Sequence, residues 1–129
     1  MNAWSHLPNA VHIDRVLASV KSNPLEWDQV WPEVWDKAWG SAWDQMALAR
    51  QEKLQAWRQA KDQAMYKAWD HARAQARGVI LALVAYDDCA KYLNLPIDQL
   101  EMLYHLTDHP ACLLLQPAVL VFAKEKELA

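Results

Sequence analysis

Residues 27–43 read WDQVWPEVWDKAWGSAW, with Trp27, Trp31, Trp35, Trp39 and Trp43 each four positions apart. A step of four is near the helical turn of 3.6 residues but overshoots it, so each indole is rotated by about 40° from the last and the set sweeps about 160° around a straight helix. One flat partner cannot cover such a sweep. The repeat continues as Ala56, Ala60, Ala64, Ala68, Ala72 and Ala76, with Trp57, Met65 and Trp69 beside it, and departs from regularity at Gln51 to Leu54 and Met65 to Lys67. A period of four exceeds 3.6, so a supercoil that followed it would be right-handed. An alanine stripe lets a second helix backbone come close.

Two arrangements satisfy this pattern. A continuous helix from Pro32 to Ala76 would be about 68 Å long at 1.5 Å per residue, whereas a compact chain of this length has a radius of gyration of about 14 Å. Its indoles would then need a second molecule to cover them. In the other arrangement the helix breaks. Pro32 costs about 3 kcal/mol inside a helix, and Gly40 followed by Ser41, with Asp44 three residues on, reads as a C-cap and then an N-cap. The pieces would fold back and the indoles would form a monomer's core.

Charge is segregated along this region, which reads most simply as a solvated charged face and, if the helix is unbroken, also offers it a cover. Residues 26–44 carry Glu26, Asp28, Glu33, Asp36 and Asp44 against Lys37, a balance of −4; residues 50–77 carry Arg50, Lys53, Arg58, Lys61, Lys67, Arg73 and Arg77 against Glu52, Asp62 and Asp70, a balance of +4. Acid before base complements the helix dipole and makes an antiparallel copy electrostatically complementary. The expectation is a long Trp/Ala-rich helix, kinked at Pro32 and Gly40, packed on a small C-terminal helical bundle.

Composition agrees with an all-α class. The chain has 129 residues, 53% apolar, with 2 Gly and 6 Pro, and lacks the β-branched alternation of strands. That length suits a single domain, organised as residues 1–23, 24–77 and 78–129. The net charge of −3 gives no global attraction to nucleic acid and falls far short of a DNA mimic. The start MNAWSHLPNAVHID lacks the parts of a signal peptide, so the expected location is cytoplasmic. Cys89 and Cys112 are expected as free thiols.

Caps and breakers place the remaining elements. LPNAVHIDRVLASVKSN forms a first helix, with Pro8 in its first turn and Val11, Ile13, Val16, Leu17 and Val20 as the apolar face. Asn23 starts a second helix at Pro24, with Glu26 near its N-terminus. After Gly78, VILALVAYDDCAKYLNL is a helix aliphatic nearly all round at its start, which belongs in the core. LPIDQLEMLYHLTDHP is a further amphipathic helix. ACLLLQPAVLVFA is too short to span a bilayer, which needs about 20 residues, and reads as a buried helix kinked at Pro117.

HIDRVLASVK (12–21), the Ala/Trp/Asp tetrads, LALVAYDDC (81–89) and LLLQPAVLV (113–121), taken in that order, resemble a group of small uncharacterised proteins of tailed bacteriophages and prophages. In that group AWDxAxxxA repeats precede a YDDC-like segment. The resemblance implies a phage or mobile-element origin, hence the cytoplasm of a bacterial host. It brings no catalytic residues.

Candidate chemistry is thin. His105 and His109 are four apart with Cys112 following and Cys89 upstream, but the spacing is not a zinc pattern and Pro110 ends the helix first, so no metal is expected. Asp87 and Asp88 point about 100° apart on a helix and do not converge on an ion. The tryptophans carry the signal, because an indole joins large apolar area to one N–H donor and suits interfaces and base stacking alike. The sequence therefore reads as a non-enzymatic protein without cofactor that binds a protein partner through Trp27, Trp31, Trp35, Trp39, Trp43, Trp57 and Trp69. That partner is a second copy in an antiparallel homodimer, or a host protein, as in an inhibitor of a host factor or host defence; no membrane is involved. One alternative is nucleotide or nucleic-acid contact through Trp57, Arg58, Lys61, Lys67, Trp69 and Arg73. Another is a virion or assembly component.

Overall fold

A computed structural model describes residues 4–29, 35–47, 51–65, 70–86, 88–94 and 109–128, with the side chains of some helical residues, Trp35 among them, left out. Among the described residues every regular element is helical: α1 (Ala10–Ser22), α2 (Pro24–Gln29), α3 (Trp35–Ala47), α4 (Gln51–Met65), α5 (Asp70–Ala85), a 3-10 helix (Cys89–Asn94) and α6 (Pro110–Leu128). The class is all-α, as the composition requires. Pro32 and the expected helix over residues 96–107 lie outside the described residues.

The most apolar stretches take the centre. In α5 every residue from Val79 to Ala85 is buried, and in α6 Ala111, Cys112, Leu114, Leu115, Ala118, Val119, Val121 and Phe122 are buried. Helices apolar on all sides can be satisfied only by surrounding them. Accordingly α1, α2, α3, α4 and α6 all pack on α5, and α6 also receives α2, α3 and the 3-10 helix. Gly78 is buried inside α5 and ends no element, and α6 runs through Pro117.

The tetrad region folds back instead of running on as one rod. Helices α3, α4 and α5 pack against one another, and the alanine stripe finds its close partner within the chain, where Ala56 and Ala60 of α4 and Ala72 and Ala76 of α5 are all fully buried. The continuous helix is therefore replaced by the broken arrangement, though not broken at Gly40. That residue sits inside α3, exposed, with nothing within 4 Å of the place a Cβ would occupy. A glycine costs a helix about 1 kcal/mol, less than the burial of two partly covered indoles beside it returns. Surface area agrees with a compact chain: it exposes 7390 Å², against roughly 7,000 Å² for a compact protein of this mass.

Polar ties fasten the N-terminal helices to the core. Asn9 is 3% exposed and precedes α1 as its N-cap residue, but its side chain does not cap that helix. Its amide donates to the carbonyls of Leu83 at 2.8 Å and Tyr86 at 3.1 Å, at the C-terminus of α5. Pro8 therefore lies just before α1 and not within it. The Trp4 indole donates to Asp14 at 2.7 Å. Trp27 of α2, fully buried, donates to Ser19 at 3.0 Å and sets its ring edge-on to Phe122 of α6, centroids 6.4 Å apart. The Arg15 guanidinium lies 3.9 Å above that phenyl ring.

Candidate functional site: an indole groove on α3

Trp39 and Trp43 are one turn apart on α3 and both turn onto Trp57 of α4. Their ring centroids lie 5.8 and 4.9 Å from that of Trp57, with interplanar angles of 62° and 76°. Such edge-on pairs add about 0.5–1.5 kcal/mol each beyond simple burial. Trp57 is 4% exposed, and its indole N–H is buried without a hydrogen-bond partner, a loss of about 1–3 kcal/mol that the ring contacts must offset.

Cations from the basic block sit against this cluster. Lys61, one turn beyond Trp57, holds its ammonium 4.9 Å from that ring. The Arg77 guanidinium reaches from α5 to 5.9 Å from the Trp39 ring. Two cations of the basic block are thus used within one molecule, against aromatic rings of α3 and α4.

A groove of about 350 Å³ opens on the outer side of α3, lined by Trp39, Gly40, Trp43 and Asp44. Its origin is local. On a helix surface Trp39 and Trp43 form one row and Gly40 and Asp44 the next, so the missing side chain at Gly40 leaves a notch walled by indoles along one side. Asp44 closes the row. Its carboxylate is exposed and, among the described residues, makes no ion pair or hydrogen bond.

Of the residues singled out in the sequence, Trp39, Trp43 and Trp57 converge. Trp27 is fully buried elsewhere, between α1 and α6, and serves the monomer's own core. Arg58 is exposed. Trp31, Lys67 and Trp69 lie outside the described residues, as do the side chains of Trp35 and Arg73. Sequence reasoning missed Gly40, Asp44 and Arg77 as parts of the cluster. Gly40 was detectable, since it alone interrupts the repeat with no side chain, but it reads equally well as a cap.

The cysteines and histidines do other work. His105 lies outside the described residues, and His109 accepts a bond from the Ala111 N–H at 3.2 Å through Nδ1, which caps the first turn of α6. The Cys89 thiol donates to the Ala82 carbonyl at 3.2 Å. Neither cysteine forms a disulfide and both are buried, and burial pushes the Cys112 thiol up. Burial, with Cys112 as a hydrogen-bond partner, does the same to Tyr92. Asp87 lies outside the described residues, and Asp88 is exposed, 4.0 Å from Lys91. Among the described residues no group of three or more His, Cys, Asp or Glu could hold a metal ion, and no helix is long and apolar enough to cross a membrane.

No protein-family model, curated protein or solved structure matches the chain. The functional reading therefore stands on the geometry of α3.

Proposed function

We propose that the protein acts by binding a protein partner, with the groove between Trp39 and Trp43 as the contact. The observation that carries this is a pair of partly exposed indoles flanking a notch with open space above Gly40. Tryptophan is among the residues most enriched at the energetic anchors of protein interfaces. Stacking of bases is less well served. Trp57, the indole placed among basic residues, is 4% exposed and already meets two indoles and an ammonium, so it offers no free face to a base. An enzymatic role has no support in the groove, whose described lining holds one carboxylate and no nucleophile. The second copy called for by a continuous helix is not needed by a chain that has folded back.

Filling the notch tests the reading. Gly40→Leu adds a side chain where none touches the fold, so the variant should keep its helical content and melt no lower than the wild type. It should no longer retain whatever protein the wild type retains from a bacterial lysate. Equal retention by both would refute the groove as the contact.

A further inference from the structure

The chemistry of the notch narrows what it takes. Three features meet there: indole faces, which carry negative quadrupole potential; an exposed carboxylate, Asp44, with no partner among the described residues; and a volume of about 350 Å³, at the small end of the range for ligand pockets. Small size favours one side chain over a cofactor-sized molecule. The carboxylate and the ring faces both favour a cation. Two cations already touch the cluster, but Lys61 lies on Trp57 and Arg77 on Trp39; among the described residues none lies on Trp43. That ring is partly exposed and lines the same groove as Asp44; the two side chains project about 100° apart around α3, so an elongated cationic side chain lying along the groove, rather than a bare ion, is what can meet both.

We propose that the groove of α3 captures an arginine side chain presented by a protein partner, its guanidinium laid on the Trp43 indole and hydrogen-bonded to the Asp44 carboxylate, with the alkyl stem lying in the notch over Gly40. A guanidinium is flat, weakly hydrated and forked, so it stacks and pairs with a carboxylate at once; an ammonium is compact, holds its water more strongly and cannot do both as well. This inference rests on the docking reading above and names the chemistry of the partner for that same site.

The experiment uses the full chain labelled with 5-fluorotryptophan, with the Trp39 and Trp43 resonances assigned from Trp39→Phe and Trp43→Phe. The probes are three capped tripeptides, Gly-Arg-Gly, Gly-Lys-Gly and Gly-citrulline-Gly. The arginine peptide is expected to shift the Trp43 and Trp39 resonances in a saturable way. The lysine peptide should bind several-fold more weakly and the neutral citrulline peptide at least tenfold more weakly. Asp44→Asn, with unchanged melting, should bring the arginine peptide down to the citrulline level, and Gly40→Leu should abolish binding of all three. Equal binding by the citrulline or lysine peptide, no response to Asp44→Asn, or no shift with any peptide overturns the arginine assignment. If that happens while Gly40→Leu still loses the lysate partner, the groove docks a protein by other chemistry. If Gly40→Leu also retains that partner, both readings fall.

Discussion

Ser19 joins three elements through one hydroxyl. Its oxygen accepts the Trp27 indole N–H at 3.0 Å and its O–H donates to Glu125 at 2.9 Å, while the Asn23 amide donates to the same Glu125 oxygen at 2.7 Å. Ser19→Ala strands the Trp27 donor in the core. The expected loss is about 1–3 kcal/mol, seen as a lower urea midpoint with an unchanged slope. A change under about half a kcal/mol would mean that the indole finds another acceptor. Such ties are invisible in the sequence because their partners are far away along it: Asn23 reads as a cap for α2, yet its side chain serves α6, and the Asn9 side chain, for which the sequence gives no role, serves α5. His12 gives a pH-dependent counterpart. Burial first, and then the charge of Arg15, hold its pKa below the ordinary imidazole value, and its Nδ1 is buried without a partner. A depressed folded-state pKa means that the unfolded chain takes the proton more readily. The contribution is therefore present in full above the unfolded value of about 6.5 and lost as pH falls through the lower folded one. Urea midpoints measured from pH 7 to pH 5 should fall less steeply for His12→Gln than for wild type; parallel slopes would show that His12 is not the linked group.

At the level of elements, the clearest signals were chemical stops and all-round apolarity. Asn23 and Pro24 separate α1 from α2, and Pro110 opens α6. The aliphatic run after Gly78 and the apolar C-terminal stretch form the centre. The tetrad region was harder, because periodicity reports a helical face without saying where the helix stops. The described span of α4, Gln51–Met65, begins and ends at the two places where the repeat loses regularity, Gln51 to Leu54 and Met65 to Lys67. Those lapses were the better signal than Gly40. The stretch after Ala85 reads as continuing helix in the sequence, whereas the chain enters a 3-10 helix at Cys89. Gly40→Ala tests the assignment of α3 directly. In an exposed helical position with open space beside it, the substitution should stabilise by about 0.5–1 kcal/mol; a cap glycine in the left-handed region would instead make it destabilising. The joint between α3 and α4 has its own test in Trp57→Phe. Losing indole area costs stability, but the change also removes a buried N–H that has no partner. The net loss should be clearly smaller than the roughly 3–5 kcal/mol of Trp57→Ala. Equal losses for the two variants would show that the six-membered ring alone does not hold the joint.

Taken as a whole molecule, the chain resolves the repeat by closing on itself. A drift of about 40° per tetrad spreads the indoles over too wide an arc for one partner, and folding back gives them different neighbours: Trp27 meets α1 and α6, while Trp39 and Trp43 meet α4. Cations of the basic block meet indoles inside one chain, as when Arg77 of α5 reaches the ring of Trp39 on α3. The case for an antiparallel homodimer rested on a rod too long to hide, and that premise is gone. Small-angle X-ray scattering separates the arrangements by size. A closed monomer of 14.9 kDa should give a radius of gyration of about 14 Å, a compact pair of such chains about 18 Å. A pair built on a helix about 68 Å long would exceed about 20 Å from the rod alone. The expected result is about 14 Å with the forward scattering of one chain, unchanged on dilution. A value above about 20 Å with the mass of two chains would restore the continuous helix and turn the indoles of α3 into a buried seam between copies, with no groove left for another partner.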